Sequence, residues 1–310
     1  MYVKQYSSDK KQVWDEFIRN SKNPLFMFYR DYMEYHKDRF ADSSLMFYDD
    51  KDDLISVLPA SIKGDIISSH GGLTFGGFVT DSKMKQHHMC ELMDLLTNYM
   101  SEQGVTSLIY KAIPHIYHLQ PAEEDIYALY KIGASIEKIE SATVVNLSNR
   151  LKMPKGRKAQ VSRARREGVT VEESTDFDTF INLENEVLGE YHNATAVHTG
   201  AELKLLHERF PEFIKLYGGF YQGKMIAGSV IFLYPNVVHT QYLASNDKSR
   251  EIGALDLVVT TMMDIYKDKT WFDFGKSTEG DGTILNEGLI SQKEGFGGRT
   301  FVYQTWKLTV

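Results

Sequence analysis

From Ile214 to residue 244 the chain carries three consecutive strand-forming runs: 214–221, 225–234 and 237–244. Gln222-Gly223-Lys224 joins the first two, and Pro235-Asn236 joins the second pair. Joints this short, built from turn residues, predict tight hairpins and hence antiparallel neighbours. Two helical patterns precede the meander. Residues 176–191 form one, with Asp176 as N-cap, and residues 201–209 the other, with Thr199 as cap. After it come a polar loop at 245–252, a helix at 254–266 and an aromatic strand at 271–274. A glycine-rich loop, a short helix near 285–294 and a last strand pair near 299–307 complete the order.

The first half has a looser version of this order. Helices are expected at 11–20, at 27–37 (aromatic-rich), at 84–103 before Gly104 and at 121–132 before Gly133. Strands are expected at 45–48, 54–62, 105–111 and 141–147, with another beginning at Ile66. There is no residue-level repeat, so the reading of a duplicated α+β unit rests on element order. The expected fold class is mixed α+β. Two tandem domains, 1–148 and 149–310, each hold a mainly antiparallel twisted sheet flanked by helices. With 310 residues, 42% of them hydrophobic, the chain can bury two such cores.

Charge and composition exclude some classes. A formal net charge of −7 argues against a protein held on DNA by its overall field. The one cysteine, Cys90, rules out an intramolecular disulfide and fits a reducing, cytoplasmic location. The N-terminal stretch lacks an apolar signal core, and the longest apolar run, 225–234, is far below the roughly 18 residues of a membrane span. One segment departs from the acidic average. Residues 150–168 hold eight Lys or Arg (Arg150, Lys152, Lys155, Arg157, Lys158, Arg163, Arg165, Arg166) against Glu167 alone. The later part is expected to be a linker helix, either gripping phosphates or simply solvated. Its lack of aromatics weakens a base-stacking role.

The chemistry concentrates in 237–259, where a strand enters a loop and a helix leaves it. A loop feeding a helix N-terminus offers backbone N–H groups and a positive dipole end to phosphate. Gly253 and Ala254 permit close approach, and Arg250 adds charge. The run Arg250-Glu251-Ile252-Gly253-Ala254-Leu255 resembles the pyrophosphate loop of GNAT-type N-acetyltransferases, Arg/Gln-x-x-Gly-x-Gly/Ala. It departs at Leu255, with Ala254 one place early. Downstream, Asn286, Leu289, Lys293 and Gly295-Phe296 follow the helix that in GNAT enzymes carries a Tyr before Gly-Phe. Lys293 at the Tyr position, ahead of Gly-Phe-Gly, resembles the FemAB-like branch, which has two GNAT-like domains in tandem. Typical members move an amino acid from aminoacyl-tRNA onto a peptidoglycan precursor. The chain has no long charged helical-hairpin insertion of the sort some members carry.

The resemblance implies an N-acyltransferase acting on an amine of a small molecule or lipid-linked precursor. Acetyl-CoA or another acyl-CoA is the expected donor, with aminoacyl-tRNA the alternative and a non-catalytic binding protein the third reading. Ser249, Arg250, Glu251, Ile252, Gly253, Ala254 and Asn286 are expected to hold the coenzyme. Lys293 is expected to place charge on the oxyanion, aided by backbone N–H groups near Tyr242 if that strand is bulged. Tyr242 or Tyr303 is expected to protonate the leaving group. His239, Glu279 and Asp273 are the candidate bases, His239 first because of its ordinary pKa. Each also has a plain structural reading, as a surface lysine, a hydrogen-bonded strand residue or a loop acid beside Asp281.

Other motifs carry less. The glycine cluster at 69–77 has neither a P-loop nor a Gly-x-Gly-x-x-Gly spacing, and reads as a tight turn with His70 in it. His87, His88 and Cys90 supply at most two ligands on one helix face, as do His115 and His118, so no metal is expected. No Gly-x-Ser-x-Gly elbow is present.

Overall fold

A computed structural model gives the fold of residues 1–192 and 196–310, with the side chains of all of these except 187–192. The chain divides into two compact units, Met1–Ser141 with Thr278–Ile284 and Val302–Val310, and Ala142–Ser277 with Leu285–Phe301.

The first unit runs β1 (Tyr2–Gln5), α1 (Lys11–Arg19), α2 (Arg30–Met33), β2 (Ala41–Asp42), β3 (Leu45–Tyr48), β4 (Leu54–Leu58), β5 (Ser61–Lys63), β6 (Ile66–Ser68), β7 (Val79–Thr80), α3 (Gln86–Glu102), β8 (Ser107–Lys111) and α4 (Glu124–Lys131). β9 (Ser135–Asn146) leads out of it. Strands β1, β3, β4 and β7 form one antiparallel sheet. The expected strand at 54–62 is two strands, because β4 pairs with β3 while β5 pairs with β6. The expected helix at 27–37 is also broken. Phe28 and Tyr35 sit in two 3₁₀ turns, Phe26–Phe28 and Glu34–His36, either side of the four-residue α2, which holds Tyr32. Tyr29 adopts an extended φ,ψ between them and interrupts the helical run. The core gathers the Met- and Leu-rich face of α3 with Phe47, Phe78 and Tyr110.

The second unit runs α5 (Lys155–Arg166), β10 (Thr170–Ser174), α6 (Phe177–His192), α7 (Gly200–Arg209), β11 (Ile214–Tyr221), β12 (Lys224–Leu233), β13 (Val237–Ser245), α8 (Asp247–Ile252), α9 (Ala254–Ile265) and β14 (Trp271–Lys276). The chain then passes through the short strands β15 (Thr278–Glu279) and β16 (Ile284–Leu285), α10 (Glu287–Glu294) and β17 (Arg299–Thr309); β15 and β17 from Val302 on belong to the first unit. β17 is one strand, where a pair was expected: Gly297 turns the chain before it, and 299–309 stay extended without a second turn. Strands β10, β11, β12 and β13 are antiparallel neighbours, as the hairpin signals predict. Gln222 and Gly223 both take positive φ, which a two-residue hairpin turn requires. Beyond β13 the order continues through β14, in parallel, to the end of β9, antiparallel.

Helices cover both faces of this sheet, and glycines set how closely they approach. A Cβ on Gly228 would meet Phe180 of α6 at 2.9 Å, and one on Gly219 would meet Val258 of α9 at 2.8 Å. Gly218 pairs with Gly228 and Gly219 with Ala227, so α6 lies on one face and α9 on the other. Under α9 the core holds Val258, Met262, Ile231, Val238 and Phe272, with Val161 and Ala164 of α5 against it. Each such side chain stabilises by about 1.5–3 kcal/mol on burial. Gly228→Ala forces its methyl against Phe180 and the Tyr217 carbonyl. It is expected to cost about 1–3 kcal/mol, read as a lower urea midpoint with unchanged slope.

Candidate active site

The site is built where β13 stops behaving as a regular strand. Val230 pairs with Tyr242 and Ile231 with Thr240, so Gln241 is an extra residue without a cross-strand partner on β12, a β-bulge. In a regular strand residues 239 and 242 face opposite ways. The bulge puts both on one face: His239 lies opposite Phe232 and Tyr242 opposite Val230, the face shared with Gly228 and covered by α6. The parallel pairing of β13 with β14 also ends here, at His239 and Asp273. Beyond that pair the two strands have no further ladder contact, although β13 runs on to Ser245 and β14 to Lys276.

Three side chains meet at the end of the ladder. Nδ1 of His239 lies 2.9 Å from Oδ2 of Asp273, and Oδ1 of Asp273 accepts from the Gly275 N–H at 2.7 Å. Asp273 is fully buried and His239 nearly so. Gly275 takes φ +68, which turns its carbonyl toward α10. There Nζ of Lys293 donates to the carbonyls of Gly275, at 3.1 Å, and Lys276, at 2.6 Å. Lys293 is only 5% exposed. Burial lowers its pKa to about 8, with Asp273 pulling the other way. An ammonium has three donors, and two are used here.

Tyr242 sits further along the same face. Its hydroxyl lies 2.6 Å from Nδ1 of His198 and accepts from the His198 backbone N–H at 3.3 Å. Burial pushes its pKa up to about 12, which keeps it protonated. Glu184 of α6 is the neighbour that sequence reading misses. It stands one helical turn beyond Phe180 and is 8% exposed. Burial raises its carboxyl to about 7. A lone acid in an amphipathic helix gives no signal of this kind; the one available clue is its i+4 spacing from Phe180 on the apolar face.

The expected coenzyme loop has a different form. Residues 247–252 are the helix α8, not a polar loop, because Asn246 caps it by accepting the Ser249 N–H at 3.0 Å. Gly253, at φ +80, ends α8 and starts α9. The backbone approaching it is that of α5: a Cβ on Gly253 would stand 2.6 Å from the Gln160 carbonyl oxygen. Two amides of this joint are already used. The Gly253 N–H donates to the Ser249 carbonyl at 2.8 Å, and the Leu255 N–H to Ser249 Oγ at 3.2 Å. Arg250 reaches Asp247 at 2.6 Å and the Ser245 carbonyl at 3.1 Å. Glu251 is exposed beside Lys248, while Ile252 and Ala254 are core residues. Asn286 caps α10 by accepting the Leu289 N–H. Glu279 is exposed on β15, and with Asp281 and Tyr303 it belongs to the other compact unit. The 69–77 turn closes on its own unit too, Gly72 lying against His36 and Phe40, with His70 at φ +50.

A cleft of about 400 Å³ opens along α5. Arg150, Lys152, Lys158 and Arg165 line it over a floor of Leu151, Met153, Met263 and Phe296. Asp264 is the one acid in its wall, and it pairs with Arg150. Arg157 does not take part. It bonds Asp256 of α9 and the Gln292 carbonyl of α10 and lies 4.3 Å over the Phe296 ring, clamping α10 in place. Among the described residues no helix is long and apolar enough to cross a membrane.

No protein-family profile matches the chain, and no curated protein matches its sequence. Solved structures match it along its length. FemX aligns at 12% identity and a TM-score of 0.71, covering 100% of this chain and 98% of that one. The C-terminal domain of a putative lysylphosphatidylglycerol synthetase from Agrobacterium fabrum gives 10% and 0.64, over 97% and 91%. A tandem GNAT protein from the clavulanic acid biosynthesis pathway gives 8% and 0.51, over 99% and 98%. At such identities the likeness is one of fold: the chain has the mixed α+β, GNAT/FemAB-like fold that its motifs resemble.

The buried lysine gives the site a measurable signature. Its pKa is about 8 in the fold and 10.5 as an ordinary lysine. Between those values the unfolded chain binds more protons, so stability rises with pH across the window. The stability of the wild type relative to Lys293→Met is expected to be flat below pH 8. It should then climb toward pH 10 by on the order of 3 kcal/mol, measured by denaturant unfolding at each pH.

Proposed function

We propose that the chain is an acyltransferase that moves an acyl group from a phosphate-bearing carrier onto an amine, with the chemistry at the end of the β13–β14 ladder. The observation that carries this reading is Lys293, desolvated and held on the Gly275 and Lys276 carbonyls beyond the last parallel pair. An acyl ester or thioester is already activated. Its transfer needs alignment with the amine and stabilisation of the tetrahedral oxyanion. The third donor of Lys293 supplies that charge in a low-dielectric setting, where it acts most strongly. The Asp273–His239 pair and the Asp273–Gly275 bond fix the strand end that positions it.

The carrier is proposed to lie along α5. Four cations over an apolar floor suit phosphates beside a ribose or base. At the Gly253 joint, by contrast, the amides of Gly253 and Leu255 are already bonded. This favours aminoacyl-tRNA as donor, in keeping with the full-length likeness to FemX. Acyl-CoA is the second reading, favoured by the placement of Arg250 and Gly253 between β13 and α9. The acceptor is proposed to be a primary amine on a small molecule or lipid-linked precursor, and the reaction to be cytoplasmic.

Titration of the protein with acetyl-CoA, free CoA and aminoacyl-tRNA separates the donors. Binding of charged tRNA that weakens with salt, with a slope reduced by Lys158→Gln and Arg165→Gln, is the expected result. Tight acetyl-CoA binding abolished by Arg250→Ala transfers the assignment to CoA, and binding of neither overturns the reading. With the productive donor and hydroxylamine as acceptor, Lys293→Ala should lower kcat by about 10²–10³-fold. The wild-type rate should fall as pH rises through about 8, where Lys293 loses its proton.

A further inference from the structure

The polar groups around Tyr242 are not explained by oxyanion stabilisation. Glu184 is 8% exposed and its Oε2 has no hydrogen-bond partner among the described residues. A buried carboxylate left without a partner costs several kcal/mol if charged. Phe180, one turn back, covers Gly228, and an apolar residue at 184 would continue that contact over Val230.

The surroundings are specific. β13 offers Tyr242, whose phenol feels the Glu184 charge. The segment before α7 offers His198, held on Tyr242. Among the described residues, Tyr242 is the titratable group shown to feel the Glu184 charge, and its phenol is bonded to the His198 imidazole. The upward shift of the Glu184 carboxyl comes from burial. The bulge at Gln241 puts Tyr242 and His239 on the face that α6 covers.

We propose that Glu184 binds the ammonium of the acceptor and takes its proton, with Tyr242 and His198 as the wall that orients it. This rests on the acyl-transfer reading above and adds the acceptor half of the site. An amine reaches the enzyme as R–NH₃⁺, a charge that satisfies the lone carboxylate. One N–H bond breaks, and the proton passes to Glu184. The freed lone pair attacks the acyl carbon, forming the C–N bond. The bond from that carbon to the carrier oxygen or sulfur breaks, and the leaving atom takes its electron pair and the second nitrogen proton. A carboxyl that titrates near 7 gives up its proton again between turnovers.

Two measurements test this. The first needs no catalysis. In protein labelled with ¹³C at glutamate carboxyls, one signal should titrate near pH 7 and be missing from Glu184→Gln. Adding ethylammonium chloride should lower its midpoint. A Glu184 signal that titrates in the ordinary carboxylate range, or ignores ethylammonium, overturns the proposal whatever the enzyme's activity. The second compares two acceptors with the productive donor. Ethylamine must lose a proton before attack, whereas hydroxylamine is already neutral at neutral pH. Glu184→Gln should slow transfer to ethylamine by about 10²–10⁴-fold and leave transfer to hydroxylamine within about threefold. Equal losses with both acceptors would show a structural role and sink the proposal. Absence of transfer to hydroxylamine by the wild type would overturn the acyl-transfer reading instead, leaving the carboxyl titration to decide on ammonium binding.

Discussion

Gln241 has no cross-strand partner on β12, and much of the second unit's polar chemistry depends on that one extra residue. Without it, His239 and Tyr242 would face opposite sides of the sheet, one under α6 and one under α9. With it, both turn toward α6. β13 is also bent as its parallel ladder with β14 comes to an end. A sheet that stayed paired through Ser245 would satisfy its own backbone and leave no opening. The bulge costs ladder hydrogen bonds and brings His239 and Tyr242 onto the α6 face.

Holding a lysine and a glutamate in such a place needs rigid support, because each resists burial. Lys293 keeps two of its donors on carbonyls that point its way only because Gly275 adopts a left-handed φ. Asp273 holds that turn through the Gly275 N–H. From the far side, Arg157 bonds both α9 and α10 and stacks on Phe296, so the helix that carries Lys293 is fastened to the helix beneath it. The basic segment thus divides its labour. Arg157 is structural, while Lys152, Lys158 and Arg165 stay on a cleft wall. The overall net charge of −7 hides this local excess of cations.

The parts of the fold legible in the sequence are those governed by neighbours along the chain. The hairpin at Gln222-Gly223 reads correctly because positive φ at two adjacent residues is a local demand. Thr199 reads as a cap because Ser and Thr side chains reach amides three residues on, here completing a reciprocal pair with Glu202. Misreadings came where one local rule competed with another. The 245–252 segment looked like a loop by polarity, but Asn246 and the following Asp and Ser are also the residues that start helices. The aromatics at 27–37 have helical spacing, yet their chain bends at Tyr29 so that Phe26, Phe28 and Tyr32 can all be buried. Gly253 looked like room for a phosphate, and the backbone that came close was Gln160.

By itself the sequence determined the element order and the antiparallel meander. Those follow from periodicity, turn chemistry and caps, which act over a few residues. Tertiary structure alone decided which side chains share a face. A single inserted residue in β13 reverses the direction of every side chain after it, and no local pattern around Gln241 announces that. It also decided the protonation behaviour of Lys293 and Glu184, since desolvation is set by what packs around a group from distant parts of the chain.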